Sequence, residues 1–218
     1  HIAKRQAEAA PRLTRLAAHL PPGARIADFG CGSGEFIAAA AARGFDAIGF
    51  EPGADYARHA KSTLGLSVQN CGWQDFVPPS GAMDAVTAFH VFEHLTDPLA
   101  ALQQVKSWLS PNGIAYIEVP NMAVHLKKGF GSLHLAHTIG FSRYSLELLG
   151  AAAGMAVVET VGGTDIGMMF RNGSPRATDD IMEDAHRELE HWTQSRVHRQ
   201  YWIYTCQKLV GRRPADLR

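Results

Sequence analysis

Between Ile26 and Phe36 the chain sets an acid, Asp28, near the end of a short apolar run, then Gly30, Cys31, Gly32 and Gly34, then an Ala-rich stretch. Glycine has no Cβ and tolerates backbone angles that other residues avoid, so a strand–loop–helix of this composition lets a ligand approach the bare peptide backbone. A second carboxylate supports the pattern. Ala47-Ile48-Gly49-Phe50 reads as the next strand and ends in Glu51, 21 residues beyond Gly30. A nucleotide-binding α/β fold sets an acid there against ribose hydroxyls. The glycine spacing is Gly-x-Gly-x-Gly, whereas a pyrophosphate site uses Gly-x-Gly-x-x-Gly. Asp28 at the lip of the loop repels a pyrophosphate and suits an ammonium group.

A second constellation follows in Phe89-His90-Val91-Phe92-Glu93-His94. One reading makes Glu93 and His94 a hydrogen-bonded brace between a strand and the helix after it. Another makes His94 a general base, because imidazole titrates near neutrality and suits an alcohol or phenol. A third notes that His90, Glu93 and His94 stand at i, i+3 and i+4, on one face of a helix. With His134 or His137 they make a set that metals accept; the reading adopted assigns no metal. Trp73 is open between core and ligand contact. Arg143 and Tyr144 fit a helix start better than a substrate contact, and Lys127-Lys128 is too short a basic run to signal nucleic acid.

The elements that must position these residues alternate. Residues 3–20 are helical by spacing and end at Pro21-Pro22-Gly23. Strands are expected at 25–29, 46–50, 67–69, 83–89, 114–119, 155–161 and 201–207, with helices at 34–43, 54–63, 98–109, 142–153 and 176–196. Asp97-Pro98 opens one helix where proline is tolerated, and Ser142 is a cap for another. This rhythm predicts a parallel, doubly wound sheet. Residues 120–141 break it with Gly, His and Lys. An insertion at the carboxyl edge of a parallel sheet overlies the ligand crevice, so this segment is the expected lid.

The 218 residues are expected to form a single domain over 1–218, with an N-terminal helix (1–22) and a frayed tail (211–218). A 46% apolar, 19% charged composition is ordinarily globular, and zero formal net charge gives no basic field for a nucleic acid. Cys31, Cys71 and Cys206 are scattered, as in a reduced cytoplasmic protein. No apolar run approaches the roughly 18 residues of a membrane span, and no signal peptide is visible.

From about residue 20 to 208 the chain resembles the class I S-adenosylmethionine (SAM) methyltransferases. It is most similar to the branch holding the ubiquinone-pathway O-methyltransferases and many small-molecule and sugar methyltransferases. The resemblance rests on Asp28-Phe-Gly30-Cys-Gly32-Ser-Gly34, on Gly49-Phe50-Glu51-Pro52, on Phe89 to Pro98 and, more loosely, on Phe141 to Met155. It implies a seven-stranded, mostly parallel Rossmann-like α/β sheet whose last strand is antiparallel. SAM is then the cofactor, held by Asp28, Gly30, Cys31, Gly32, Gly34, Glu51 and Pro52, with Phe89 and His90 near its methionine end. The stretch that reads adenine falls on Gly72-Trp73-Gln74-Asp75. The acid expected there is absent at Gly72, so the contact falls to Trp73, Gln74 or Asp75, with Trp73 and Gln74 taken as the cofactor contacts. Methyl transfer needs alignment more than covalent help, and the residues expected to serve the acceptor are His94, His134 and His137. The expected partner is a small hydroxylated or sugar-type acceptor. Metal-assisted transfer to RNA or a catechol-like acceptor, or a non-catalytic module of a longer polypeptide, are the alternatives.

Overall fold

A computed structural model describes residues 2–78, 82–127 and 136–190. At its centre β1 (Arg25–Phe29) pairs in parallel with β2 (Asp46–Phe50) on one side and β4 (Met83–Phe89) on the other, with Asp28 level with Gly49 and Thr87. β3 (Val68–Gln69) extends the β2 side and β5 (Leu109–Pro120) the β4 side, both parallel. Beyond β5 lies β7 (Asp165–Asn172), antiparallel to β5 and to β6 (Met155–Val161). The order is β3-β2-β1-β4-β5-β7-β6. Chain progression reverses between β1 and β4, which opens a crevice at the carboxyl ends of those strands.

Helices α1 (Ile2–Ala17) and α2 (Glu35–Ala42) cover one face, over Ile26, Ala85, Ile114, Tyr116 and Met169. Leu13 and Leu16 of α1 are fully buried there. Each contributes about 1.5–3 kcal/mol, so α1 is seated firmly beside the crevice mouth. The opposite face packs α4 (Pro98–Trp108) and α6 (Arg143–Ala152) through Leu102, Trp108 and Leu146 onto Phe29, Phe50 and Ile117. The remaining helices are α3 (Ala54–Ser62), α5 (Met122–Lys127) and α7 (Thr178–Glu190).

The local signals act as expected at several ends. Asp97 accepts the Ala100 amide at 2.9 Å ahead of Pro98, and Ser142 and Ser145 cap α6 reciprocally at 3.2 and 2.8 Å. The antiparallel last strand expected of the sheet is β7, at 165–172, a segment the spacing did not mark; the strand expected at 201–207 lies outside the described residues, as does the tail. β7 is a sheet interior strand buried on both sides, so it carries no polar–apolar alternation, and its Gly167 leaves room for the Tyr116 ring. β5 starts at Leu109, five residues earlier than expected. An irregularity between Met83 and Ala85 lets Pro111-Asn112-Gly113 pass within the strand.

Candidate active site

The crevice holds a cavity of about 470 Å³, floored by Asp28, Gly30, Cys31 and Gly32, with Glu51 and Tyr56 at one end, Phe89, His90 and His94 at the other, and Arg5, Glu8 and Arg12 of α1 above. Gly32 has φ +54°, which an L side chain rarely adopts, and a Cβ there would lie 3.0 Å from the Arg5 guanidinium. A Cβ on Gly30 would meet the Val91 side chain at 2.7 Å. Gly30, Cys31 and Gly32 line the cavity, and a side chain at either glycine would crowd Val91 or Arg5 at its wall.

Two carboxylates organise it. Glu51 accepts the amides of Gly32 at 3.0 Å and Gly53 at 2.7 Å, which holds its headgroup at the end of β2. Asp28 is 3% exposed and accepts the Thr87 hydroxyl at 2.6 Å. Burial pushes its pKa up to about 7, against the pull of Thr87 and of the Arg12 charge. A buried carboxyl poised near neutrality in a cleft marks a functional position. Burial also pushes the Cys31 thiol up, which leaves it a neutral packing group.

From above, Arg5 reaches Ser33 and Glu35, each at 3.1 Å. Arg12 donates to Glu118 through Nε at 2.9 Å and through a terminal nitrogen, with its guanidinium 4.6 Å from the Phe89 ring centroid. Arg5, Glu8 and Arg12 follow one flank of α1. Their spacing was visible in the sequence, but a charged flank beside an apolar stripe reads as solvated surface. Thr87 and Glu118 are polar residues inside apolar strands, and that mismatch was the available signal for them.

At the acceptor end His90 has φ +58°, the only non-glycine residue among the described residues with a positive φ. Its amide donates to the Glu118 carbonyl at 2.8 Å. Its Nδ1 lies 3.4 Å from Glu93, and its Nε2 lies 3.7 Å from Glu118 and 3.9 Å from Asp165. Burial pulls the His90 pKa down, but the three carboxylates outweigh it and the net shift is upward. His94 donates its Nδ1–H to the Ala136 carbonyl at 2.9 Å, its Nε2 sits 3.8 Å from Glu93, and its ring meets His137 edge-on at 4.9 Å. One ligand atom each of Glu93, His94 and His137 come within 4.8 Å of one another. His134 lies outside the described residues, as do residues 128–135 of the expected lid, whereas its first part continues β5 into α5. The described part from Ala136 to Gly140 is tied down by Thr138, whose hydroxyl donates to the Glu93 and Leu95 carbonyls at 3.0 and 2.9 Å.

Of the residues read as cofactor contacts, Asp28, Gly30, Cys31, Gly32, Glu51, Phe89 and His90 line this one cavity. Gly34 is instead the left-handed N-cap of α2, φ +89°. Pro52 is exposed, Gln74 is exposed, and Trp73 packs against the main core; none of the three lines the cavity. Tyr56, which no sequence signal marked, occupies the Glu51 end.

Comparison with known proteins fits this geometry. A methyltransferase domain model matches residues 1–160. A ubiquinone biosynthesis O-methyltransferase of Xanthomonas campestris is 30% identical over 117 residues, covering 50% of this chain and 49% of that protein. One of Cereibacter sphaeroides is 34% identical over 105 residues, covering 45% and 42%. The chain thus spans about half the length of the curated relatives it matches. Among solved structures, Streptomyces venezuelae DesVI superposes with a TM-score of 0.64 at 18% identity, over 77% of this chain and 92% of that one. The Burkholderia thailandensis 1,6-didemethyltoxoflavin-N1-methyltransferase, solved with S-adenosylhomocysteine, gives 0.63 at 17% identity, over 79% and 81%. The fold and the loop define a class I SAM methyltransferase. The chain belongs to the methyltransferase domain family, and SAM is its cofactor.

The residues present fit that cofactor. Loop backbone freed of Cβ atoms faces the cavity, a carboxylate stands at each end of the loop, and the guanidiniums of Arg5 and Arg12 offer counter-charge to a carboxylate tail.

Proposed function

We propose that this protein transfers the methyl group of SAM to the oxygen of a small hydroxylated or sugar-type acceptor by direct displacement. One observation carries the reading: the glycine loop, both carboxylates and the His90–His94 segment converge on a single cavity of about 470 Å³. SAM supplies a sulfonium-activated methyl group. The chain's part is to hold and aim. Glu51 receives the ribose hydroxyls, turning from the two loop amides it now accepts. Asp28 balances the cationic tail, and Arg5 or Arg12 takes the tail's carboxylate. Phe89 and His90 form the wall between cofactor and acceptor. Fixing the reactants at contact distance supplies most of the acceleration, because effective molarities of about 10⁵ M and above follow from alignment alone.

The small-molecule acceptor is supported by the modest cavity, by the neutral overall charge and by the kinds of molecule named for the similar proteins. Titration calorimetry with SAM and S-adenosylhomocysteine tests the cofactor half. Transfer of label from methyl-labelled SAM to catechol, phenol and a hexose tests the acceptor half. Binding of neither nucleoside at high micromolar concentration sinks the reading.

A further inference from the structure

We infer that His90 is the base that receives the acceptor's proton, held in the required tautomer by the buried Glu93. This rests on the methyl-transfer reading above and adds to it a residue that first appeared only as a cofactor contact. The geometry begins with Glu93. It is 1% exposed, and neither of its oxygens has a hydrogen-bond partner among the described residues. A buried carboxylate left so demands a proton donor, and His90 Nδ1 at 3.4 Å is nearer than His94 Nε2 at 3.8 Å. A proton on Nδ1 leaves the lone pair on Nε2, on a ring that is 37% exposed and lines the cavity.

The surroundings of Nε2 suit proton uptake. Glu118 at 3.7 Å and Asp165 at 3.9 Å are too far to hydrogen-bond to it but near enough to stabilise the imidazolium. Facing the ring are Glu93 and His94 from the turn after β4, Glu118 from β5, Asp165 from β7 and Arg12 from α1. Arg12 neutralises Glu118, so Glu93 on the Nδ1 side and Asp165 on the Nε2 side are the carboxylates left to raise the ring's affinity for a proton. His94 is less suited, since Nδ1 is engaged by Ala136 and Nε2 faces Glu93. The left-handed backbone at His90 is disfavoured in an L residue, and strain retained beside a ligand cavity is a mark of function.

In the step, the acceptor's O–H bond breaks and its proton passes to Nε2, turning neutral His90 into an imidazolium. The freed oxygen pair forms the new O–C bond, and the C–S pair it displaces stays on sulfur, which loses its positive charge. Asp165, partly exposed, offers the proton its way to solvent.

The test has two arms. In ¹⁵N-resolved spectra of the protein saturated with S-adenosylhomocysteine, the His90 ring (assigned by its loss in His90→Gln) is expected as the Nδ1–H tautomer. It should titrate above the usual value of about 6.5 and move to lower pH in Asp165→Asn. With catechol as acceptor, His90→Gln is expected to lower turnover by about 10²–10⁴-fold, far more than it weakens S-adenosylhomocysteine binding. An Nε2–H tautomer, a midpoint indifferent to Asp165, or turnover retained in His90→Gln overturns the inference while leaving cofactor binding, and so the broader reading, intact. Turnover abolished by EDTA and restored by Mn²⁺ also overturns it, since a metal would then carry the acceptor's charge. Loss of nucleoside binding in the wild type is the distinct result that fells the broader reading.

Discussion

Asp28 shows how one carboxyl couples stability to ligand. Its folded pKa stands at about 7 against an ordinary 3.8, so the native chain holds this proton more tightly than the unfolded chain does. The stability that this gives is full below the ordinary value and is lost as pH rises toward about 7. The ligand-free protein is therefore expected to be more stable as Asp28→Asn at pH 8, with a smaller gain at pH 5, read by calorimetric melting. A cationic ligand prefers the ionised form, so SAM affinity should tighten between pH 6 and 8 in the wild type and lose that slope in Asp28→Asn. Equal slopes in the two proteins would place the cationic tail away from Asp28. At the other end of the loop, Glu51→Ala removes charge-assisted bonds of about 1.5–3 kcal/mol. The expected result is SAM binding weaker by roughly ten- to a hundredfold in a protein with an unchanged circular-dichroism spectrum. Both carboxylates were readable from the sequence because each ends a short apolar run at a spacing that only a βα unit explains. The pairings of Arg12 with Glu118 and of Thr87 with Asp28 were not readable, because the partners lie 106 and 59 residues apart.

Elements rather than single residues set the walls of the site. α1 is anchored by Leu13 and Leu16 and contributes Arg12 to a mostly buried pair with Glu118, the two side chains 11% and 12% exposed. Removing one partner of such a pair strands the other. Arg12→Met is expected to cost about 3 kcal/mol in urea unfolding, and the double variant Arg12→Met/Glu118→Met to recover most of it. A double variant as unstable as the single one would mean that α1 is held by its apolar stripe alone. Thr138 stitches the segment at 136–140 to the turn that carries Glu93. Thr138→Val should lower turnover with little change in SAM affinity, measured by kinetics beside calorimetry. Helix ends were visible in advance wherever a cap is chemical, as at Asp97 and Ser142. β7 was not, because a strand of Gly, Met and Phe buried on both sides lacks the periodicity that distinguishes strand from helix.

For the molecule as a whole, the crevice lies where the sheet's progression reverses and is lined from both the β1–β2 half and the end of β4, so a ligand bound there would bridge the two halves. Ligand that binds only the folded state at a hundred times its Kd adds about 2.7 kcal/mol. S-adenosylhomocysteine at that excess should raise the melting temperature by about 5–10 °C in a domain of this size; an unchanged melting curve would mean that the crevice does not take the nucleoside. The insertion of β7 between β5 and β6 has a further consequence, for the order of synthesis. Every strand of the cofactor half has left the ribosome by Pro120, yet β5 keeps one hydrogen-bonding edge bare until Asn172 has emerged. That edge belongs to Ile114–Val119, an uncharged apolar run but for Glu118, and such an edge recruits other strands. A nascent chain paused between these points is in its most adhesive state. A version ended at residue 160, where the family match ends, would keep that edge open for good. It is expected to precipitate on expression, while one ended at residue 190 stays in solution.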